Sequence, residues 1–366
     1  YRPENYNRRC YGPVTYRTAL ASSLNIPAVK VLLAAGGPEA LRERLQAVGL
    51  TTLDHPAEIY GLGLTLGNCE ARLLELTNAY AGLARLGEAR PWRILVDAPS
   101  TSARYTRPEL AWQIADILSD NSARTLAFGI NSALRFDFPV ASKTGTSTDF
   151  RDNWTIGYTP EFAVGVWVGN FDGAPMHEVS GVTGAGPIFH DIFEHLHAKK
   201  GTSWYERPEE ILERSVHPLT GKVLAQGDTR GVREKFVRGN LPGPEAREDY
   251  DETGKVKLSD EYADWFASAE NAIRGRAILA QSPSELRITS PIAGSTYLLD
   301  PDIPSSRRIA VAALGATKML WQSDSLRIKG PEGAEFAVAA EGDHTIFVTD
   351  ADTGRRAEVR ITIRAL

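Results

Sequence analysis

The sequence predicts a two-part protein, a mixed α/β (α+β) unit followed by a small all-β, immunoglobulin-like sandwich. Three observations predict it. Apolar residues recur with helical period up to about residue 119, the period switches to that of strands near residue 138, and after residue 286 six or seven short strands follow one another between turn signals. Length agrees, because a single core stops growing at roughly 250–300 residues and this chain has 366.

Residues 29–35, closed by Gly36 and Gly37, and residues 38–48, closed by Gly49, are amphipathic stretches with glycine stop signals. Residues 73–86 place Leu73, Leu74, Leu76, Tyr80, Leu83 and Leu86 on one helical face, and 110–119 repeats the pattern more weakly. The glycine-rich run 61–67 lacks the strand-then-helix context of a phosphate loop, so it reads as the turn before a helix starting near Glu70. Residues 138–147 form a short extended run. Residues 154–158 and 162–168 read as two strands around the turn Thr159-Pro160-Glu161. Pro187 then opens an apolar helix over 188–196, with Phe189, Ile192, Phe193 and Leu196 on its buried face. The first unit is expected to span 1–198. Residues 199–282, with Pro208-Glu209-Glu210, Leu241-Pro242-Gly243-Pro244 and a charged stretch over 245–257, read as a linker or extended subdomain. Residues 283–366 carry strands at 286–288, 296–299, 308–313, 319–321, 345–348 and 359–363, the signature of a small sandwich.

Composition excludes several classes. Forty-one basic residues against 46 acidic ones leave a net charge of −5, without the basic excess that nucleic-acid binding requires. No apolar run approaches the roughly 18 residues of a membrane span, and the first residues lack the apolar core of a signal peptide. Cys10 and Cys69 are too few for a disulfide framework or a thiolate metal site, and two thiols are expected rather than a bridge. His190, Glu194 and His197 would align on a helix like metal ligands, but the apolar residues between them put that trio on a solvated face; no metal is expected. Trp154 and Trp167 are expected in a sheet core, and Trp265 and Trp321 by default in a buried sandwich.

The residues that can carry chemistry are Lys143-Thr144-Gly145-Thr146-Ser147 at the end of a strand, and Ser23-Leu24-Asn25 upstream. Glycine lets another chain or ligand lie close to the strand. The lysine supplies a positive charge, and the hydroxyls can bind a carboxylate. The bland alternatives are an exposed strand lysine, a solvent-facing threonine and, for Ser22 or Ser23, a helix N-cap. Only Ser23 lies two residues before Asn25, and Ser-x-Asn with Lys-Thr-Gly is a pairing found in serine acyltransferases.

With these segments in place the chain resembles class A penicillin-binding proteins. Residues 12–29 are similar to their Ser-x-Asn region, and 141–160 to their Lys-Thr-Gly strand and the strand after it. Gly165-Val166-Trp167-Val168-Gly169-Asn170 and Gly184-Ala185-Gly186-Pro187-Ile188-Phe189 are similar to the segments that follow. Residues 283–366 resemble the extra domain of the penicillin-binding protein 1C branch. One departure stands out: no serine in the sequence has lysine three residues later, so the nucleophilic Ser-x-x-Lys motif is not in it. The resemblance therefore implies the C-terminal part of a bifunctional glycosyltransferase/transpeptidase, with nucleophile, glycosyltransferase domain and membrane anchor expected upstream.

The resemblance implies a penicillin-binding/β-lactamase-like transpeptidase fold, present in part, and a penicillin-sensitive DD-transpeptidase that needs no cofactor. Lys143 and Thr146 would hold the donor's terminal carboxylate, with charge-assisted bonds worth about 1.5–3 kcal/mol each. The Thr146 N–H would be one oxyanion donor, Ser23 would relay a proton, and Asn25 would orient the substrate amide. Thr144 and Gly145 belong to the same motif, and Ser147 stands beside the carboxylate. Implied partners are peptidoglycan stem peptides, β-lactams and the upstream part of the same protein, with a bacterial α2-macroglobulin-like protein or other cell-wall proteins as further candidates. The implied location is the outer side of the bacterial inner membrane. A DD-carboxypeptidase or β-lactamase-like hydrolase, and a non-catalytic cell-wall binding or scaffold piece, are the alternatives.

Overall fold

The structure is a computed structural model that describes residues 3–177, 179–280, 286–299, 304–316, 318–331 and 335–365. Two compact units meet in sequence at Ala246 and Arg247.

The first unit begins with helices α1 (Tyr16–Ala21), α2 (Asn25–Ala34), α3 (Gly37–Ala47) and the single turn α4 (Ala57–Tyr60). The glycine-rich run folds as a 3-10 turn, Gly61–Leu66, and α5 (Leu73–Ala84) follows, starting three residues later than expected. A minimal ladder, β1 (Glu88–Ala89) with β2 (Ala103–Arg104), leads to α6 (Pro108–Leu118) and the short α7 (Thr125–Phe128). Strands β3 (Ala141–Thr146), β4 (Asp152–Tyr158) and β5 (Ala163–Gly169) form an antiparallel sheet in that order. Register runs from Ala141 opposite Tyr158 to Thr146 opposite Asn153, and Tyr158 is opposite Ala163 across the expected turn.

Because side chains alternate across a strand, this sheet has two packed faces. On one, Val164 and Val166 meet Leu134, Phe136 and the fully buried Phe189 and Phe193 of α8 (Ala185–Lys200). On the other, Ala141 and Tyr158 pack with Ala115 and Leu118 of α6 and Tyr80 of α5. Gly157 and Gly165 allow the helices this close. A Cβ on Gly157 would lie 2.7 Å from the Phe189 ring, and one on Gly165 would lie 2.0 Å from Thr77 Oγ1.

Three expectations for α8 are corrected. Ile192 is 37% exposed, and His197, placed by sequence on a solvated face, is buried. Residues four apart share a helical stripe, so Phe189, Phe193 and His197 face the sheet together, the last two stacked 5.9 Å apart. The His197 ring nitrogens lie 2.7 Å from the Gly201 carbonyl and 3.1 Å from Thr159 Oγ1. His190 stacks on Phe136 at 4.4 Å instead of facing His197. The helix also starts at Ala185, two residues before Pro187.

After α8 the hairpin β6 (Ile211–Val216) and β7 (Val232–Val237) returns to the helices, where Ile211 and Val237 bury Trp112. Beside this apolar contact lies a charge cluster. Arg17 of α1 donates to Asp116 of α6 (2.7 Å), Asp120 (3.3 Å) and Glu234 of β7 (2.7 Å), and Lys235 pairs with Asp116.

The second unit opens with a parallel pair, Val256–Leu258 with Ala277–Leu279, beside a short helix, Ala263–Ala267, that buries Trp265. Nine strands are described between residues 287 and 365. Four form a sheet in the order Thr296–Leu299, Arg356–Ala365, Gly342–Asp350, Met319–Ser323. Three more form a second, in the order Arg308–Ala310, Phe336–Val338, Arg327–Lys329. Ile346, Val359, Ile361 and Ile363 of the first sheet bury Ile309 and Ala337 of the second, with Trp321 half-buried at the edge of that core. The run 308–313, read as one strand, breaks at Val311. Arg308–Ala310 pairs with Phe336–Val338, whereas Ala312–Leu314 pairs with Arg287–Ser290.

Among the described residues no helix is long and apolar enough to cross a membrane. No disulfide joins Cys10, which is exposed, to the half-buried Cys69.

Candidate active site

All seven residues singled out by sequence, Ser23, Asn25 and Lys143 to Ser147, line one cavity of about 1850 Å³. Leu20, Ile114, Ile117 and Phe128 also line it, as do Gly63, Thr65 and Leu66 of the 3-10 turn.

Ser23 reaches the cavity from the end of α1. The N–H of Leu24 bonds Ala19 O (2.9 Å) and that of Ser23 bonds Leu20 O (3.1 Å), a closure that requires a left-handed residue between them. Glycine is the usual choice, yet Ser23 holds φ 55°. Its neighbour Ser22 turns inward and donates to Ala123 O at 2.8 Å. The two adjacent serines thus have separate environments. Asn25 opens α2 and is fixed by the preceding segment: its N–H donates to Asn5 Oδ1 (2.9 Å) and its side-chain amide to Glu4 O (2.7 Å).

Strand β3 lies at an edge of its sheet. The Ser147 N–H donates to Asp152 O at 3.0 Å, and hydrogen-bonded pairs alternate along an antiparallel ladder. Residues 143 and 145 therefore bond β4, while the N–H and C=O groups of Thr144 and Thr146 point to the open edge. Lys143 Nζ donates to one of these, Thr144 O, at 2.8 Å, and to Ser23 Oγ at 2.6 Å. Ser147 Oγ accepts from the Asp152 N–H at 2.8 Å. A Cβ on Gly145 would meet only ordinary contact, Trp154 Cβ at 3.4 Å. The chain's own packing therefore does not demand glycine there.

Gly181, which the sequence reading passed over, is demanded by packing. Its N–H donates to Thr146 Oγ1 (2.9 Å) and its carbonyl accepts from Thr155 Oγ1 (2.9 Å), clamping the segment before α8 to the end of β3. A Cβ there would lie 2.5 Å from Gly145 O and 2.7 Å from Trp154 O, both backbone atoms. Gly181→Ala is expected to destabilise the first unit by about 1–3 kcal/mol, read as a lowered melting temperature; an unchanged melt would show that the clamp does not hold the strand end.

The electrostatics centre on Lys143. Desolvation, reinforced by the Arg124 charge, pushes its pKa down to about 8. Arg124 is 2% exposed. It donates from Nη1 to Ser142 Oγ (2.7 Å) and Leu134 O (3.3 Å), and from Nη2 to Leu118 O. Burial pushes its own pKa down to about 10. Nothing in the run Ser122-Ala123-Arg124-Thr125 marks it by motif or period.

Comparison with known proteins decides the family. The profile described as "Penicillin binding protein transpeptidase domain" matches residues 1–194, more than half of the chain. The chain belongs to the penicillin-binding protein transpeptidase family. A second profile, "Penicillin-Binding Protein C-terminus Family", matches residues 275–361, within the all-β unit. Among its relatives, penicillin-binding protein 1C of Escherichia coli is 30% identical over 85% of this chain, and penicillin-binding protein 1A of Aquifex aeolicus is 34% identical over 66%. The chain spans 39% and 33% of those two proteins' lengths. The crystal structure of penicillin-binding protein 1A from Haemophilus influenzae superposes over 66% of this chain and 42% of its own with a TM-score of 0.58 at 22% identity. The transpeptidase fold, followed by an all-β unit, agrees with the sequence expectation.

Proposed function

We propose that this chain provides the carboxylate-binding and proton-relay side of a peptidoglycan DD-transpeptidase, and that the acylating serine comes from polypeptide outside these 366 residues. The observation that carries the reading is the 2.6 Å bond from Lys143 Nζ to Ser23 Oγ at the mouth of an open strand edge.

In this reading the serine attacks the carbonyl between two D-alanines of a stem peptide. The donor lies along β3, where the outward N–H of Thr146 receives the developing oxyanion; losing such a donor costs roughly 2.7–4 kcal/mol. Lys143 attracts the terminal carboxylate, with Thr144, Thr146 and Ser147 beside it and Gly145 leaving the strand surface open. Asn25, anchored on Glu4 and Asn5, lies where it can orient the donor amide. The attacking serine gives up its hydroxyl proton as the C–O bond forms; as the C–N bond breaks, Ser23 passes its own hydroxyl proton to the leaving amine and takes one from Lys143 Nζ, which is reprotonated by the proton the attacking serine released. An amine of a neighbouring stem then takes the acyl group.

None of these steps calls on a cofactor or a metal. β-Lactams would enter as mimics of the donor, and the family context favours an anchored protein on the outer side of the inner membrane. A bacterial α2-macroglobulin-like or other cell-wall protein is the candidate partner of the sandwich.

A fluorescent penicillin tests the core of this reading. The protein carrying its upstream segment should be labelled covalently at a serine of that segment, and a folded but unlabelled protein overturns the proposal. Release of D-alanine that rises with an added acceptor amine, with formation of the cross-linked product, identifies transpeptidation; release to water alone identifies a carboxypeptidase.

A further inference from the structure

We propose that the outer face of the three-stranded sheet in the second unit, which carries Arg308, Arg327 and Lys329, binds the free carboxylates of peptidoglycan stem peptides and so tethers the protein to the polymer it works on. The identity of the ligand rests on the function proposed above; the anion-binding character of the face does not.

Register builds the face. Ile309, Ala337 and Ile328 point into the core shared with the four-stranded sheet, so the alternate residues point outward. Arg308 and Arg327 flank Val338 in one row, and Ala310 and Lys329 flank Phe336 in the next. Neighbouring strands lie about 4.8 Å apart, and alternate residues along a strand about 6.8 Å apart. The two arginines therefore stand about 10 Å apart at Cα, on either side of an apolar strip, with Lys329 one step along. All three cations are exposed, whereas Val338 and Phe336 are half-buried. The Arg308 guanidinium lies 5.1 Å from the Phe336 ring centroid, which steadies it beside the strip.

The charge on this face is one-sided. Its three strands hold no acidic residue, and none of the three cations pairs with a carboxylate among the described residues. Residues 286–366 carry ten basic and ten acidic residues, so the positive sign is local to this face. On the outward side of Arg356–Ala365, by contrast, Glu358 stands between Arg356 and Arg360 and pairs with the latter at 3.6 Å. Charges on edge strands also keep sheets from joining edge to edge. Either sign serves that purpose, so it does not account for three unpaired cations.

Chemistry selects the occupant. A guanidinium matches a carboxylate in bidentate geometry. Two of them astride an apolar strip suit an extended peptide that lies over Val338 and Phe336 and sends carboxylates to both sides. A bilayer surface calls for protruding apolar side chains, and the two on this face are half-buried. A nucleic acid would meet a chain of net charge −5. The stem peptide satisfies the requirement, since it ends in the carboxylate that Lys143 attracts in the proposed reaction.

Co-sedimentation of the 366-residue chain with purified peptidoglycan sacculi tests this. Binding is expected at low salt and should weaken as salt rises. Arg308→Gln combined with Arg327→Gln should weaken it by about 3–10-fold at an unchanged melting temperature. Arg360→Gln combined with Arg364→Gln, the same charge change on the four-stranded sheet, should leave it as in the wild type. Sacculi with amidated carboxylates should bind poorly. Equal losses in the two double variants, or full binding to amidated sacculi, overturn the proposal. Retained binding in the Arg308/Arg327 variant overturns it as well, and self-association of that variant would then mark the arginines as edge guards only. Tighter binding to phosphatidylglycerol vesicles than to sacculi, lost in the same variant, would assign the face to a lipid surface instead. Lys329→Gln, with a loss of about 2-fold or more expected, serves should the double variant misfold. Failed penicillin labelling would sink the transpeptidase reading and leave a positive sacculus result standing, whereas failed sacculus binding leaves the labelling result untouched.

Discussion

Replacing Lys143 with alanine is expected to abolish acylation by penicillin in the protein carrying its upstream segment and to leave the fold intact. Two losses combine. The substrate carboxylate loses charge-assisted bonds worth about 1.5–3 kcal/mol each, and Ser23 loses the donor 2.6 Å from its hydroxyl. Positioned proton transfer contributes roughly 10²–10⁴-fold, so a fall of about 10³-fold or more in the acylation rate is expected. Normal acylation of this variant would remove Lys143 from the site.

Stability moves the other way. Burial pushes the Lys143 pKa down to about 8 in the folded chain, against the ordinary lysine value of 10.5. Between those two values the unfolded chain holds more protons, so stability rises with pH across that window. Below pH 8 the full penalty is present, about 3 kcal/mol. Lys143→Met, which fills the same space without charge, should therefore be more stable than wild type at pH 7. The advantage should shrink steadily toward pH 10.5. Parallel melting curves at pH 7 and pH 10 check this, and a pH-independent difference between the two proteins contradicts the burial of a charged lysine.

The second large effect lies at Ser23, where backbone and side chain pull apart. Its φ of 55° suits glycine, and a left-handed conformation costs other residues roughly 1–2 kcal/mol. Ser23→Gly and Ser23→Ala both remove the hydroxyl, and each should lower turnover in the complete enzyme by about 10²–10⁴-fold. Only the glycine variant relieves the backbone, so it should be more stable than the alanine variant by about 1 kcal/mol. Matching melting temperatures would show that the turn carries no strain. Retained turnover in both variants would take the proton relay away from Ser23.

Much of this architecture was legible in the sequence because it follows local periodicity. The helical stripes of α2, α3, α5 and α6 and the alternation in β4 and β5 are patterns within a dozen residues. So is the choice of Ser23 over Ser22, set by its spacing to Asn25; the structure gives its physical counterpart in the inward turn of Ser22 toward Ala123 O. What was not legible depends on residues far apart in sequence. His197 looked solvated because its burial requires Phe189, Phe193 and Thr159 to surround it. The break at Val311 follows from two different strand partners, not from any turn residue at that point. Arg124 and Gly181 carry no motif, and their importance appears only when Ser142 or Gly145 lies against them. The juxtaposition of Ser23 and Lys143, 120 positions apart, was reachable only through resemblance to a family.

The clasp between α1 and the hairpin separates two kinds of boundary. The inherited module, as the transpeptidase profile delimits it, stops at residue 194. The cooperative folding unit does not stop there, since Glu234 and Lys235 close the charge cluster on Arg17 and Asp116, and Ile211 and Val237 cover Trp112. Arg17 stands six positions before Ser23 on the helix that delivers it. A protein trimmed to residues 1–194 would leave Arg17 without one of its carboxylates and bare the Trp112 surface, and is expected to loosen the helix that presents Ser23. The packing that supports the helix carrying Ser23 therefore extends some forty residues past the last position the transpeptidase profile matches.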